Sequence, residues 1–434
     1  MHYKKQAKKI ALHTPKLRNY ISRKDLLEAE AVAYRRATAD YQKTIRELEK
    51  RNEAWAAEVR ELRGDNKRLE ILWPVFEKDI LAANWDKPRK LIPYKRHKPP
   101  FILNWVIPPM GPVSGGHADI LRFINYLESK GHECRIYFYE ALGHHELNEL
   151  KKLMENYPPV KAELYYNAKT MKDADAIFAT NWYSAYPVFN YKGAAKKFYF
   201  VQDFEPYFEP VGTYSTLAEN TYKFGFYGIT LGQWLSDKLS KEYSMQTDYL
   251  DFGTEMTEYH LTNKNKRKKI LYYARPVTPR RGFELGCLAL KIFHEQHPDY
   301  EIHCLGWDLS RYDLPFPYVN HGILSPKELN ELYNQCVGGL VLSFTNMSLL
   351  PLEMISAGCI PVMNDSTHTK MATYSDYLKY AKTSPTAIAD ALHEIVTDPN
   401  QLKASQEAAK YAQNFKWDKS KEKLEEILEK ELGS

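Results

Sequence analysis

The sequence predicts an α/β protein of two strand–helix domains, preceded by a long N-terminal helix. Three observations carry this. From residue 100 onward, short apolar runs at 101–107, 197–201, 270–275 and 337–344 alternate with amphipathic stretches, the pattern of strands joined by crossover helices. A charged stretch at 263–269 interrupts that alternation, and a new first strand follows it. Upstream, Leu27, Tyr34, Tyr41, Leu48, Trp55, Leu62 and Leu69 recur at every seventh position, which is a heptad seam.

A chain of 434 residues can bury two or three cores. Its 44% apolar and 26% charged content is that of a soluble globular protein. No apolar run reaches the roughly 18 residues of a membrane span, and no apolar signal region opens the chain. Cys134, Cys287, Cys304, Cys336 and Cys359 lack pairing or metal-ligand spacing, which fits a reducing compartment. The expected location is the cytoplasm, with peripheral contact at the inner face of the membrane.

The net charge of +5 is unevenly spread: residues 1–100 hold 25 Lys+Arg and 14 Asp+Glu, net +11, which leaves −6 for the rest. The basic arm, 1–24, carries eight Lys and Arg and no acidic residue. Anionic membrane attracts such a cluster by about 1 kcal/mol per basic side chain. The plain alternative is a solvated tail, and nothing else in the chain supports nucleic acid. Residues 25–99 form the helical segment and its linker. Between the seam positions, Ala31, Thr38, Ile45, Asn52, Val59, Asn66 and Trp73 complete the repeat. Buried Asn in a seam favours one register and often a dimer, so residues 25–73 are expected to pair as a homodimer or to pack on their own chain. Pro74 ends the repeat, and the stretch 87–100 reads as a linker.

The first domain spans 100–265. Its opening strand runs into Gly115-Gly116 and a helix. Glycines there permit a ligand to approach the backbone, and His117 at the helix head can bond a sugar or phosphate or be a surface histidine. Asp173 and Asp175 precede a strand with no third ligand nearby, so they read as loop solvation and not as a metal site. The pair His144-His145 also lacks ligand spacing. The strand at 197–201 delivers Gln202, Asp203 and Glu205 at its carboxyl end, where functional groups collect in α/β folds. Carboxylates there can hold sugar hydroxyls or act as acid and base; the alternative is a solvated turn.

The second domain spans 266–415. Arg275 ends its first strand, and Arg281-Gly282 opens the next helix. Two guanidinium groups so placed can converge on a diphosphate. Ser325 caps a further helix. The apolar strand 337–344 then gives way to a polar loop, 345–348, and a helix with Pro351 in its first turn, Glu353, and Gly358 as its C-terminal cap. A helix opening off a strand's carboxyl end is an anion site in open α/β sheets, although a bare βαβ unit looks the same. Residues 416–434 form a last helix that can cross back to the first domain.

Residues 100–430 resemble the GT-B glycosyltransferases, in particular the GT4-like group. The likeness rests on Gly115-Gly116, Gly131-His132-Glu133-Cys134, Ala274-Arg275 with Arg281-Gly282, and Glu353 with Ala357-Gly358 and Pro361. The segments 200–206 and 222–230 are similar to the WsaF-type bacterial rhamnosyltransferases of cell-surface rhamnan (S-layer glycan) assembly. This resemblance implies two Rossmann-like domains facing across a cleft, and a metal-independent, retaining transfer with no cofactor. It implies L-rhamnose moving from dTDP-β-L-rhamnose, in a β-1,2 linkage, onto a growing rhamnan acceptor that can be lipid-linked. By the same resemblance Arg275 and Arg281 neutralise the leaving diphosphate, with Thr345 and Asn346 beside the donor. The backbone at Ser348 and Leu349 binds phosphate, Glu353 takes the nucleoside's sugar hydroxyl, and Tyr318 flanks the base. Gly115, Gly116, His117, Gln202 and Asp203 line the acceptor side, where Asp203 or Glu205 orients the acceptor hydroxyl or steadies the cationic sugar.

Two departures stand out. The family pairs two glutamates eight residues apart, and the first position here is Thr345. The family's lysine before glycine is Arg281, one residue farther from Arg275 than usual, which leaves Arg280 as a competitor. Three other readings remain: a GT-B glycosyltransferase with another nucleotide-sugar donor, a same-fold nucleotide-sugar epimerase, distinguished by donor consumption without an acceptor-linked product, and a non-catalytic glycan-binding scaffold.

Overall fold

The computed structural model describes residues 73–433 except 89–91, 112–113, 144, 167 and 372–375, together with Arg23, Leu27, Ala31 and Val32. The chain divides into two compact units, Met1–Leu72 and Trp73–Ser434. In the first unit the four described residues are helical and exposed; the basic arm apart from Arg23, and the remainder of the heptad seam up to Leu72, lie outside the described residues.

Two parallel sheets build the second unit. The first comprises β1 (Ile102–Ile107), β2 (Glu133–Phe138), β3 (Glu163–Tyr166), β4 (Ala176–Ala179), β5 (Lys196–Val201), β6 (Tyr227–Leu231) and β7 (Thr247–Leu250). Their order is β3-β2-β1-β4-β5-β6-β7. The second comprises β8 (Lys269–Tyr273), β9 (Glu301–Leu305), β10 (Val319–Asn320), β11 (Cys336–Leu340), β12 (Ile360–Asn364) and β13 (Lys379–Ala381). Their order is β10-β9-β8-β11-β12-β13. Central strands are apolar along their whole length because helices cover both faces of a parallel sheet; β4, β6, β11 and β12 are buried throughout.

Helix Gly115–Ser129 follows β1 and helix Phe283–Gln296 follows β8. The last helix, Trp417–Leu432, packs on the first sheet's domain. Tyr126 donates to Glu425 at 2.8 Å, Lys196 pairs with Glu431 at 2.7 Å, and the Trp417 ring meets Phe123 edge-on. Upstream of β1, Val75 is fully buried, Asn190 donates to the Asp79 carbonyl at 2.8 Å, and Tyr139 donates to the Asp79 carboxylate at 2.8 Å.

Asp175 differs from the expected solvated loop, whereas Asp173 is exposed as expected. Asp175 accepts from Ile102 N–H at 2.7 Å and meets the His97 ring at 2.7 Å, while Asp173 accepts from Tyr191 at 2.9 Å. They sit at the amino edge of the sheet, where unpaired strand N–H groups need acceptors. That is the edge opposite the cleft.

Candidate functional site

The order of each sheet reverses beside its first strand, between β1 and β4 and between β8 and β11. In open α/β sheets the crevice at the strands' carboxyl ends, at such a reversal, is where ligands bind. In the second sheet two loops leave this point: 274–282 after β8, and 341–349 after β11. A hydrogen bond from Phe344 N–H to the Arg280 carbonyl, 2.9 Å, ties them together. Gly282 makes the approach workable. Its φ is 59°, and a Cβ there would come within 2.8 Å of the Phe344 ring.

Three arginines occupy the first of these loops. Arg275 donates to the Gly306 carbonyl at 3.2 Å and lies over the Trp307 ring at 5.7 Å. Arg281 donates to Ser343 Oγ at 2.8 Å. Arg280 stacks on Phe208 of the first domain, its guanidinium carbon 3.9 Å from the ring centre. Burial, and then the neighbouring Arg281, push the Arg280 guanidinium below its ordinary value. The buried Nε atoms of both Arg275 and Arg280 have no hydrogen-bond partner, and neither does Ser348 Oγ. Buried donors are normally paired, so these groups have hydrogen-bonding capacity to spare, as does Asn346 Oδ1 beside them.

Asp203 reaches this cluster from the loop after β5. Its carboxylate accepts from Thr345 Oγ1 at 2.9 Å, from Asn346 N–H at 2.8 Å and from its own Phe204 N–H at 2.8 Å. Arg280 Nε stands 3.8 Å from it. Asn346 adds two bonds to the first domain, donating to the Gln202 carbonyl at 2.8 Å and the Leu231 carbonyl at 2.9 Å. The two sheets' domains therefore meet here through Asp203, Gln202, Thr345 and Asn346. A glutamate at 345 would set a second carboxylate against Asp203, which gives a physical reason for threonine at that position. Behind the loop, Ser343 is braced by Asn364, whose amide donates to the Ser343 carbonyl at 2.8 Å, and by His368 at 2.8 Å from the same carbonyl.

The helix after this loop, Leu350–Ser356, is two turns long, and Leu349 at its head provides no side-chain cap. The local positive potential thus comes from the arginines more than from a long helix dipole. Glu353 lies elsewhere in the cleft. Tyr333 donates to it at 3.2 Å, and burial pushes its carboxyl up to about 7, with Asp119 of the first domain adding repulsion. Asp119 is itself pushed up to about 6 by burial, against Arg122, which pairs with Asp119 and with Glu255. Tyr318 donates to the carbonyls of Leu309 and Tyr312, at 3.0 and 2.9 Å, and so pins its own loop.

The first domain's other candidates are held by internal contacts. Glu205 is buried, accepts from Trp182 N–H and from Tyr199 at 3.3 Å, and is pushed up to about 8 by burial. It lies beneath the Asp203 loop and braces it. Gln202 donates to the Gly116 carbonyl at 3.1 Å, and a Cβ on Gly116 would press on the Gln202 amide at 3.3 Å. Gly115 is exposed at the helix head. His117 has both ring nitrogens engaged, Nδ1 with Ser114 Oγ at 2.9 Å and Nε2 with the Pro108 carbonyl at 3.2 Å. Phe208 had no signal in the sequence, since a stacking partner across domains leaves no local pattern.

Residues 268–393 match the family model described as WsaF, C-terminal domain. The O-antigen biosynthesis protein RfbC of Myxococcus xanthus is 34% identical over 231 residues, 52% of this chain and 18% of that protein. The chain thus spans under a fifth of that relative's length. Among solved structures, Anabaena HepE in complex with UDP and glucose gives a TM-score of 0.60 at 12% identity, over 76% of this chain and 100% of that one. Sucrose-phosphate synthase of Thermosynechococcus elongatus gives 0.58 at 10% identity, over 76% and 98%. A UDP-N-acetylglucosamine 2-epimerase from Listeria monocytogenes gives 0.50 at 9% identity, over 76% and 95%. The chain carries the GT-B fold. Among the described residues no helix is long and apolar enough to cross a membrane, and no three or more His, Cys, Asp or Glu side chains are grouped to hold a metal ion.

Proposed function

We propose that this protein is a glycosyltransferase of surface-polysaccharide assembly that takes its sugar from a nucleoside diphosphate donor. The observation that carries this reading is the arginine cluster at the second sheet's switch point, with two guanidinium Nε–H groups and the Ser348 hydroxyl buried and unpaired. Breaking a glycosyl–phosphate bond leaves negative charge on the diphosphate. Fixed cations in a cleft with little water stabilise that charge most as it develops. Arg275 and Arg281 take this role, with Thr345, Asn346, Ser348 and Leu349 lining the donor and Glu353 receiving a nucleoside hydroxyl. Tyr318 flanks the base through the loop it pins. The acceptor enters along the first domain past Gly115, Gly116, His117, Gln202 and Asp203, with Glu205 supporting from below.

The match to the WsaF C-terminal domain and the likeness to the Myxococcus O-antigen protein support a finer reading: L-rhamnose transferred from dTDP-β-L-rhamnose, with retention, onto a rhamnan acceptor. The basic arm and heptad segment would bring the enzyme, as a dimer, to an anionic membrane carrying a lipid-linked acceptor. A thermal-shift panel of dTDP-, UDP- and GDP-sugars tests the donor. Stabilisation by dTDP compounds is expected. Stabilisation by UDP or GDP compounds alone overturns rhamnose, and no response to any of them overturns the transferase reading.

A further inference from the structure

We infer that Arg280, the Thr345 hydroxyl and the Asn346 N–H form an anion pocket for the donor's diphosphate, and that Asp203 occupies it as a resident anion which the donor displaces. This deepens, and rests on, the transferase reading. The groups that meet the Asp203 carboxylate are those an incoming phosphoryl group would use. Across the domains they are a hydroxyl at 2.9 Å, a backbone N–H at 2.8 Å and a guanidinium at 3.8 Å, in addition to the local Phe204 N–H. The fit to Asp203 is incomplete, because Arg280 Nε–H is buried and makes no hydrogen bond to it. Charge points the same way. Arg275, Arg280 and Arg281 bring three positive charges to loops at which Asp203 brings one negative charge. A diphosphate would complete the neutralisation, whereas a carboxylate beside it on the same donors would be repelled.

Displacement need not part the domains. The Asn346 amide still holds the Gln202 and Leu231 carbonyls, and Phe208 still covers Arg280. Once released, Asp203 stands beside Gln202 on the acceptor side, free to accept a hydrogen bond from an incoming hydroxyl. Donor binding would in this way expose the carboxylate that meets the acceptor, and an acceptor arriving first would find it engaged.

Calorimetric titration of the full chain with dTDP, with UDP and with inorganic pyrophosphate tests this, comparing wild type with Asp203→Asn, Asp203→Ser and Arg280→Ala. Removing the resident charge should tighten binding by about tenfold, since the competing contact no longer has to be given up, while Arg280→Ala should weaken it by about as much. Two Asp203 variants are used so that a folding defect in one leaves the other, and melting curves identify such a defect. Unchanged or weaker binding by both folded Asp203 variants overturns the inference and leaves the transferase reading standing. Tighter pyrophosphate binding without binding of either nucleotide keeps the anion pocket and overturns those nucleotides as donors. No binding of any of the three by any folded variant overturns both.

Discussion

The loop after β1 and the loop after β8 occupy equivalent places, each leaving the first strand of its sheet for a helix, yet their polar groups are arranged in opposite ways. After β1 the described polar side chains bond within the loop. Ser114 caps the helix, His117 bonds Ser114 and Pro108, and Tyr157 donates to the Gly111 carbonyl at 2.6 Å. After β8 the arginines are anchored at one edge only, and buried donors on Arg275 and Arg280 remain unpaired. A buried polar atom without a partner costs roughly 1–3 kcal/mol. Two of them on one loop, beside a third cation, fit the diphosphate proposed to bind there. In the sequence the Gly115-Gly116 turn is only a weak ligand signal beside the paired arginines, and the folded loops separate them further by which groups are satisfied.

Arg275→Ala should separate the two loops most clearly. If the loop after β8 holds the developing charge, turnover should fall by on the order of 10²-fold or more, as it does when one preorganised charge is removed from a site. Arg281→Ala should follow in the same direction. It has a smaller effect if Arg280 shares the load, and Ser343 Oγ keeps its bond to the Asn346 carbonyl. Steady-state rates on a correctly folded variant are the measurement. Near-normal turnover for Arg275→Ala would remove the loop from the mechanism and leave the two loops equivalent.

Glu205 sharpens the contrast from the first domain's side, because it should act on stability and not on donor binding. Burial raises its carboxyl to about 8, so the native state holds the proton more tightly than the unfolded chain does. Stability from this group is then greatest below the ordinary carboxylate range and falls as pH rises toward about 8, by on the order of a few kcal/mol in total. Glu205→Gln should flatten that slope and melt higher than wild type above pH 8. Part of the slope below about 7 should remain, because Glu353 and Asp119 are raised in the same sense. Denaturation midpoints across pH 5–9 read this out, and parallel curves for the two proteins would count against a proton on Glu205.

Much of the fold was legible because its signals are local. Apolar runs named the central strands, Ser325 capped its helix, and Gly358 closed another with φ of 73°. The arginines could be picked out for the same reason, since charge at a strand end is unusual. What the sequence could not reveal is which donors are already used. Asp203 and Glu205 read alike as carboxylates two positions apart. One crosses to Thr345 and Asn346, 142 and 143 residues away, and the other turns under the loop to Trp182 and Tyr199. Arg280 could not be separated from Arg281 for a similar reason. Its partner Phe208 comes from the other domain, and only the folded chain brings it within 3.9 Å.

His117→Ala carries the smallest expected effect and tests the quieter loop directly. The ring is half-buried, and burial lowers its pKa, so it is neutral at physiological pH. A neutral imidazole has one donor and one acceptor. With Ser114 and Pro108 on its two nitrogens, neither is left to address a ligand. Truncation should cost about 1 kcal/mol of stability for the lost bonds, and change kcat/KM by less than about fivefold, through loosening of the helix head beside Gln202. His117→Gln, which can restore one of the two bonds, should recover part of the stability. A fall in kcat/KM as large as that of Arg275→Ala, with no loss of stability, would mean that His117 leaves its loop to meet the substrate. The two loops would then differ in timing and not in kind.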